Sequence, residues 1–133
     1  MYFYGMEIAV TNGITVAVEV AYLDEHSSPR EDRFLFAYFI HIENGSPYTV
    51  QLMGRHWYIQ DGAHPLREVK GDGVIGEQPV IAPGETFEYQ SYCEITTEIG
   101  KMHGYYIMNR QEDDILFHVS IPEFKLIDPS ILN

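Results

Sequence analysis

The chain is poor in cysteine, in positive charge and in long apolar runs. Cys93 is the only cysteine among 133 residues, which excludes an intrachain disulfide. Lys and Arg number 8 against 20 Asp and Glu, a formal net charge of −12. That balance repels nucleic-acid phosphates and anionic membrane surfaces. No run of Lys or Arg marks a local exception, so nucleic acid is not an expected partner. The longest unbroken apolar run, FLFAYFI at 34–40, has seven residues, where a membrane helix needs about 20. No membrane insertion is expected. The opening MYFYGMEIAV lacks the positive region and small-residue cleavage site of a signal peptide, and the expected location is cytoplasmic. Helical periodicity is scarce too: no amphipathic stretch exceeds about two turns. There is no internal repeat and no low-complexity tract.

What is present favours strands. Apolar residues make up 45% of the chain, with ten Tyr, seven Phe and one Trp, enough for one core and biased towards β-structure. GITVAVEVAY (13–22) puts Ile14, Val16, Val18, Val20 and Tyr22 on one parity, a strand with one buried face. Asn12-Gly13 before it is a turn dipeptide, and HSSPRED (26–32) a polar loop. RFLFAYFIHIEN (33–44) is apolar on both parities as far as His41, as a central strand would be. Asn44-Gly45-Ser46 matches the glycosylation sequon, but without secretion it reads as turn chemistry. In YTVQLMGRHWYIQD (48–61) the apolar parity slips at Met53-Gly54-Arg55, which predicts a β-bulge. LREVK (66–70), GETFEYQSYCEI (84–95), KMHGYYIMNR (101–110) and ILFHVSI (115–121) complete the set, with QEDD (111–114) as an acidic hairpin turn. The pattern predicts an all-β protein, an antiparallel β-sandwich of seven to eight strands in a single domain.

VKGDGVIGEQP (69–79) spells G-x-G-x-x-G with Gly71, Gly73 and Gly76. A dinucleotide cradle needs a helix opening at the last glycine, whose N–H groups and dipole hold the pyrophosphate. Pro79 and Pro83 follow instead, and residues 66–77 carry Arg67 and Lys70 against Glu68, Asp72 and Glu77. No G-K-[ST] is present either. The glycines read as a tight crossover, with an amide nest for an anion as the alternative.

VQLMGRHWYIQDG, VKGDGVIGEQPVIAPGETFEY, GKMHGYYIM and FHVSIPEFKL resemble the ApaG family in order and spacing. The resemblance runs from about Ile14 to Ile127, so residues 1–133 read as one ApaG domain with its core in that range. It implies an immunoglobulin-like or fibronectin type III-like sandwich and an association with cobalt and magnesium efflux or resistance. Related domains in some eukaryotic F-box proteins and in a DNA-polymerase-δ-interacting protein make a recognition role natural. SYCEITTEIG and HPLREV depart from the family pattern, outside its densest part.

Arg55 and His56 precede Trp57 beside the expected bulge. Trp57 reads as the core aromatic of such a sandwich. Arg55 can clamp a carboxylate or phosphate, and with His56 it forms the leading candidate binding pair. Gly71, Gly73 and Gly76 are the candidate ligand loop. The six histidines show no H-x-H, H-E-x-x-H or Cys-His spacing, so no metal and no cofactor is expected, although strand pairing could gather His41, His103 or His118. There is no G-x-S-x-G elbow, and Glu94 beside Cys93 disfavours a thiolate. The expected function is therefore a non-enzymatic binding module. It would recognise a protein partner, with a homodimer as a further option, and would act only indirectly on cobalt or magnesium efflux. The alternative is a small-ligand sensor taking a nucleotide or diphosphate, with or without a divalent cation, at Gly71–Gly76.

Overall fold

The computed structural model describes residues 2–132, with side chains from Gly5 onward. Among the described residues, nine strands form two antiparallel sheets. β1 (Tyr2–Thr11), β2 (Ile14–Tyr22), β3 (Phe34–Asn44) and β7 (Thr86–Ile95) make the first, in the order β1-β2-β3-β7. β5 (Arg67–Asp72), β4 (Val50–Asp61), β8 (Ile99–Arg110) and β9 (Ile115–Ile127) make the second, and β6 (Val80–Ile81) pairs with β4. The two sheets close on one core as a sandwich, in which alternate residues of each strand face inward.

The strand count exceeds the expected seven to eight. β1 was not legible because Met6, Ile8 and Val10 face outward and are more than half exposed, so its apolar parity does not mark a core face. β6 is two residues long, too short to leave a pattern. Asn12 and Gly13 have φ of 50° and 80°, the left-handed pair that a two-residue hairpin turn demands. The polar loop at 26–32 starts at the end of one short 3-10 turn, Asp24–His26, and contains another, Pro29–Glu31.

β3 is central, paired with β2 and β7, which explains its apolar character on both faces. Trp57 is 3% exposed and packs 5.3 Å from the Tyr38 ring and edge-on to Phe124 at 5.9 Å. Burial of such a side chain contributes about 2–3 kcal/mol. The expected bulge is present, with a register shift against β8 between Leu52 and Gly54.

Two buried polar side chains tie loops to the sheets. Asn44, fully buried, donates to the carbonyls of Tyr48 and Ile81 and accepts from the Ser46 amide and hydroxyl. Asp61 accepts from the amides and hydroxyls of both Thr96 and Thr97, at 2.8–3.1 Å. Burial pushes the Asp61 carboxyl up, and these four donors together outweigh it and hold the pKa below the ordinary value.

Candidate functional site

The bulge at Met53 decides what β4 presents to each side. Leu52 pairs with buried Met108, and Arg55 pairs with buried Tyr106, so both face the interior although their numbers differ in parity. His56 and Tyr58 then face outward with their partners Tyr105 and His103. Arg55 and His56 therefore lie on opposite faces of one sheet and do not share a binding surface.

Arg55 turns towards the glycine loop. Its Nη1 donates to the carbonyls of Asp72 and Gly73, both at 3.0 Å, and its guanidinium lies across Gly71, its partner on β5. Behind it stand the hydroxyls of Tyr38, Tyr89 and Tyr106. Burial pushes all three phenols up, and the Arg55 charge pulls each one down by a lesser amount. Tyr89 and Tyr106 satisfy each other through their hydroxyls.

Gly73 and Gly76 form no phosphate cradle. Val74 and Glu77 exchange amide–carbonyl bonds at 2.8 and 2.9 Å, and the Gly73 amide donates to the Met53 carbonyl at 2.8 Å. Three of the loop's N–H groups are thus engaged within the protein, and no helix follows. Gly73 has φ of 58°, and a Cβ there would stand 2.0 Å from the Glu77 carbonyl oxygen. The loop is a hairpin that Arg55 braces. An anion nest needs free converging amides, and the loop has few left to give.

His56 anchors a second arrangement that the spacing did not reveal. Five rings run across the outer face of the β5-β4-β8-β9 sheet. His118 stacks on Tyr105 at 4.1 Å, Tyr105 tilts against His56 at 5.0 Å, His56 stacks on Tyr58 at 4.5 Å, and Tyr58 stacks on His103 at 5.0 Å. His56 is 6% exposed, covered by its neighbours, whereas Tyr58, His103 and Tyr105 are half-buried and His118 is exposed. The Glu68 carboxylate accepts only, so Nε2 of His56 donates to it at 3.1 Å. In the neutral ring Nδ1 then accepts from the Tyr105 hydroxyl at 2.8 Å. Both nitrogens are engaged, which fixes the ring. Alternation alone could have marked the face: His56 and Tyr58 share a parity, as do His103 and Tyr105, but only the bulge and the register bring them together.

Among the described residues no group of three or more His, Cys, Asp and Glu stands close enough to hold a metal ion. His41 lies in the other sheet, between Glu19 and Glu88 at 3.2 and 3.3 Å. In the acidic turn, Asp113 pairs with Arg110 and Asp114 accepts from Asn109. Cys93 is buried, and its thiol is pushed up to about 11, first by burial and only weakly by Glu94, while Arg67 opposes the rise. Glu94, the neighbour in sequence, is a smaller cause than the low dielectric around the thiol.

Residues 24–110 match the model of the ApaG domain. The chain belongs to the ApaG family. It is 50% identical to the protein ApaG of Afipia carboxidovorans over 92% of this chain and 94% of that one. With the protein ApaG of Thiobacillus denitrificans the identity is 48%, over 90% and 94%. The crystal structure of the putative ApaA protein from Bordetella pertussis superposes with a TM-score of 0.83, at 45% identity, covering 87% of this chain and 94% of that one. The Bordetella pertussis protein shares the sandwich. Among the described residues no helix is long and apolar enough to cross a membrane.

Proposed function

We propose that this ApaG-family protein is a non-enzymatic recognition module that engages a protein partner through the outer face of the β5-β4-β8-β9 sheet. The observation that carries the reading is the five-ring ladder from His118 to His103. Outward aromatic rings are not needed to close a sandwich core. Stacked on rigid strands, they have already lost most of their rotamer freedom, so a partner that binds them orders little more. Because the rings stack on one another, their edges rather than their faces are offered. Imidazole nitrogens and tyrosine hydroxyls suit hydrogen bonding to a polypeptide better than they suit stacking of a base. Any influence on cobalt or magnesium handling would then pass through that partner.

A photo-crosslinking residue at position 103, compared with one at position 112 in the exposed turn between β8 and β9, tests the reading in the cells that make the protein. One defined protein should be captured from position 103 and not from 112, and capture should fall when Tyr58 and Tyr105 are replaced by Ser. In a strain lacking the protein, any altered cobalt tolerance should be restored by the natural chain and not by that double variant. Equal capture from positions 103 and 112, or capture indifferent to the ladder, overturns the reading.

A further inference from the structure

The two outer faces of the sandwich differ in charge and in apolar content. On the β5-β4-β8-β9 face stand all three lysines of the chain, Lys70, Lys101 and Lys125, paired by register with His56, Gln60 and Lys101 respectively. They balance Glu68, Asp72 and Glu123 on the same side. The β1-β2-β3-β7 face has no such balance. The strand register places Glu19 beside Phe39, Glu88 beside His41, Glu43 beside Thr86 and Glu94 beside Leu35. Among the described residues, Arg33 stands 3.5 Å from Glu94 there, and His41 is held between Glu19 and Glu88.

The same face carries exposed apolar side chains in an ordered strip. Met6, Ile8 and Val10 point outward along β1 and are 56%, 55% and 64% exposed. They stand opposite Glu19, Ala17 and Thr15 on β2. Across the sheet Tyr92 on β7 is 57% exposed. Single exposed apolar residues need no explanation, but a row of three on one strand, beside a face where carboxylates outnumber cationic side chains, is a different feature.

We infer that the outer face of the β1-β2-β3-β7 sheet is a second docking surface, one that takes a basic, amphipathic polypeptide segment. Charge complementarity selects the occupant. Glu19, Glu43, Glu88 and Glu94 would repel an acidic segment, nucleic acid or an anionic membrane, whereas Lys and Arg side chains would find acceptors on β2, β3 and β7, beside the edge strand that carries the strip. Apolar side chains of the same segment would cover Met6, Ile8 and Val10. With the partner-binding reading of the His56 face, the sandwich becomes a two-sided adaptor. The two surfaces stand or fall separately, since they share no residue.

The test is a two-dimensional amide NMR titration of the full chain with three synthetic 18-residue peptides. One is an amphipathic Leu/Lys helix former, one its Leu/Glu counterpart, and one a Lys/Ser peptide of the same charge. The Leu/Lys peptide should shift the amides of Ile8, Ala17, His41 and Tyr92 and leave those of Tyr58 and His103 unmoved. The Leu/Glu peptide should cause no shift on either sheet, and the Lys/Ser peptide should bind at least roughly tenfold more weakly. Replacing Glu19, Glu43 and Glu88 by Gln, exposed or half-exposed changes that keep the spectrum of the folded chain, should weaken the Leu/Lys peptide by about tenfold. Equal binding of the Lys/Ser peptide would reveal diffuse charge alone and overturn the proposal. Shifts confined to the His56 face, or binding unaffected by the three substitutions, would overturn it too. Neither result touches the crosslinking outcome at position 103.

Discussion

The Arg55 guanidinium lies so close over Gly71 that a Cβ at position 71 would stand 2.7 Å from Nη1. Glycine at 71 therefore makes room for the guanidinium rather than answering a backbone angle. Gly71→Ala should push the guanidinium aside and break its bonds to the Asp72 and Gly73 carbonyls, lowering stability by about 1–2 kcal/mol. A shifted urea midpoint with an unchanged slope checks it. Arg55→Ala with glycine retained should lose a similar amount, and the double variant should not lose the sum.

Gly73→Ala should be worse. The added Cβ meets the Glu77 carbonyl oxygen at 2.0 Å, and the residue must keep a φ of 58°. Backbone cannot yield as a side chain can, so a loss of about 3 kcal/mol or more is expected. Gly76, where nothing lies within 4 Å of a built Cβ, should tolerate Asn with much less loss. Thermal melts of the two variants side by side decide this.

Asp61 supplies a pH dependence with a defined sign. Its native pKa lies below the ordinary carboxylate value of 3.8, so its contribution is fully present above that value and is lost as pH falls through the lower native pKa. Asp61→Asn at neutral pH removes acceptors that four donors need and should cost about 1–3 kcal/mol. The variant should also lose less stability than the natural chain on acidification, as read by urea titrations at several pH values.

Asn44→Asp should destabilise the chain more than its shape change suggests. The amide donates to two carbonyls, Tyr48 and Ile81, and a carboxylate cannot. A fully buried site would hold either an ion facing two carbonyl oxygens or a protonated acid with one donor. A loss of roughly 3 kcal/mol follows, and it should shrink at low pH as the acid protonates.

Cys93 should be slow to react. Its thiol is buried and raised to about 11, so little thiolate exists near neutrality. Labelling by an aromatic disulfide at pH 7.5 should be at least roughly a hundredfold slower in the native chain than in urea. Fast native labelling would show that the β5/β7 side opens readily.

Much of the sandwich was legible because alternation in β2, β3 and β4 reports burial directly. Trp57, the Asn12-Gly13 turn and the slip at Met53-Gly54 all carried their meaning locally. β1 escaped because its apolar residues face solvent, the reverse of what periodicity assumes. The outer ring ladder escaped for another reason: it depends on which residues stand opposite one another across three strands, and register is a property of pairing. Arg55 and His56, neighbours in sequence, looked like a pair; strand geometry separates them onto opposite faces.

The extra residue in β4 gives this stretch a counting rule. Leu52 and Arg55 both turn inward only because Met53 is inserted between two alternating runs. Many side chains would serve at position 53, but its removal would carry Arg55 and Trp57 to the outside and His56 and Tyr58 into the core. Among relatives, the spacing between the first half of this strand and its Arg-His-Trp should vary far less than the identity of the residue that sets it.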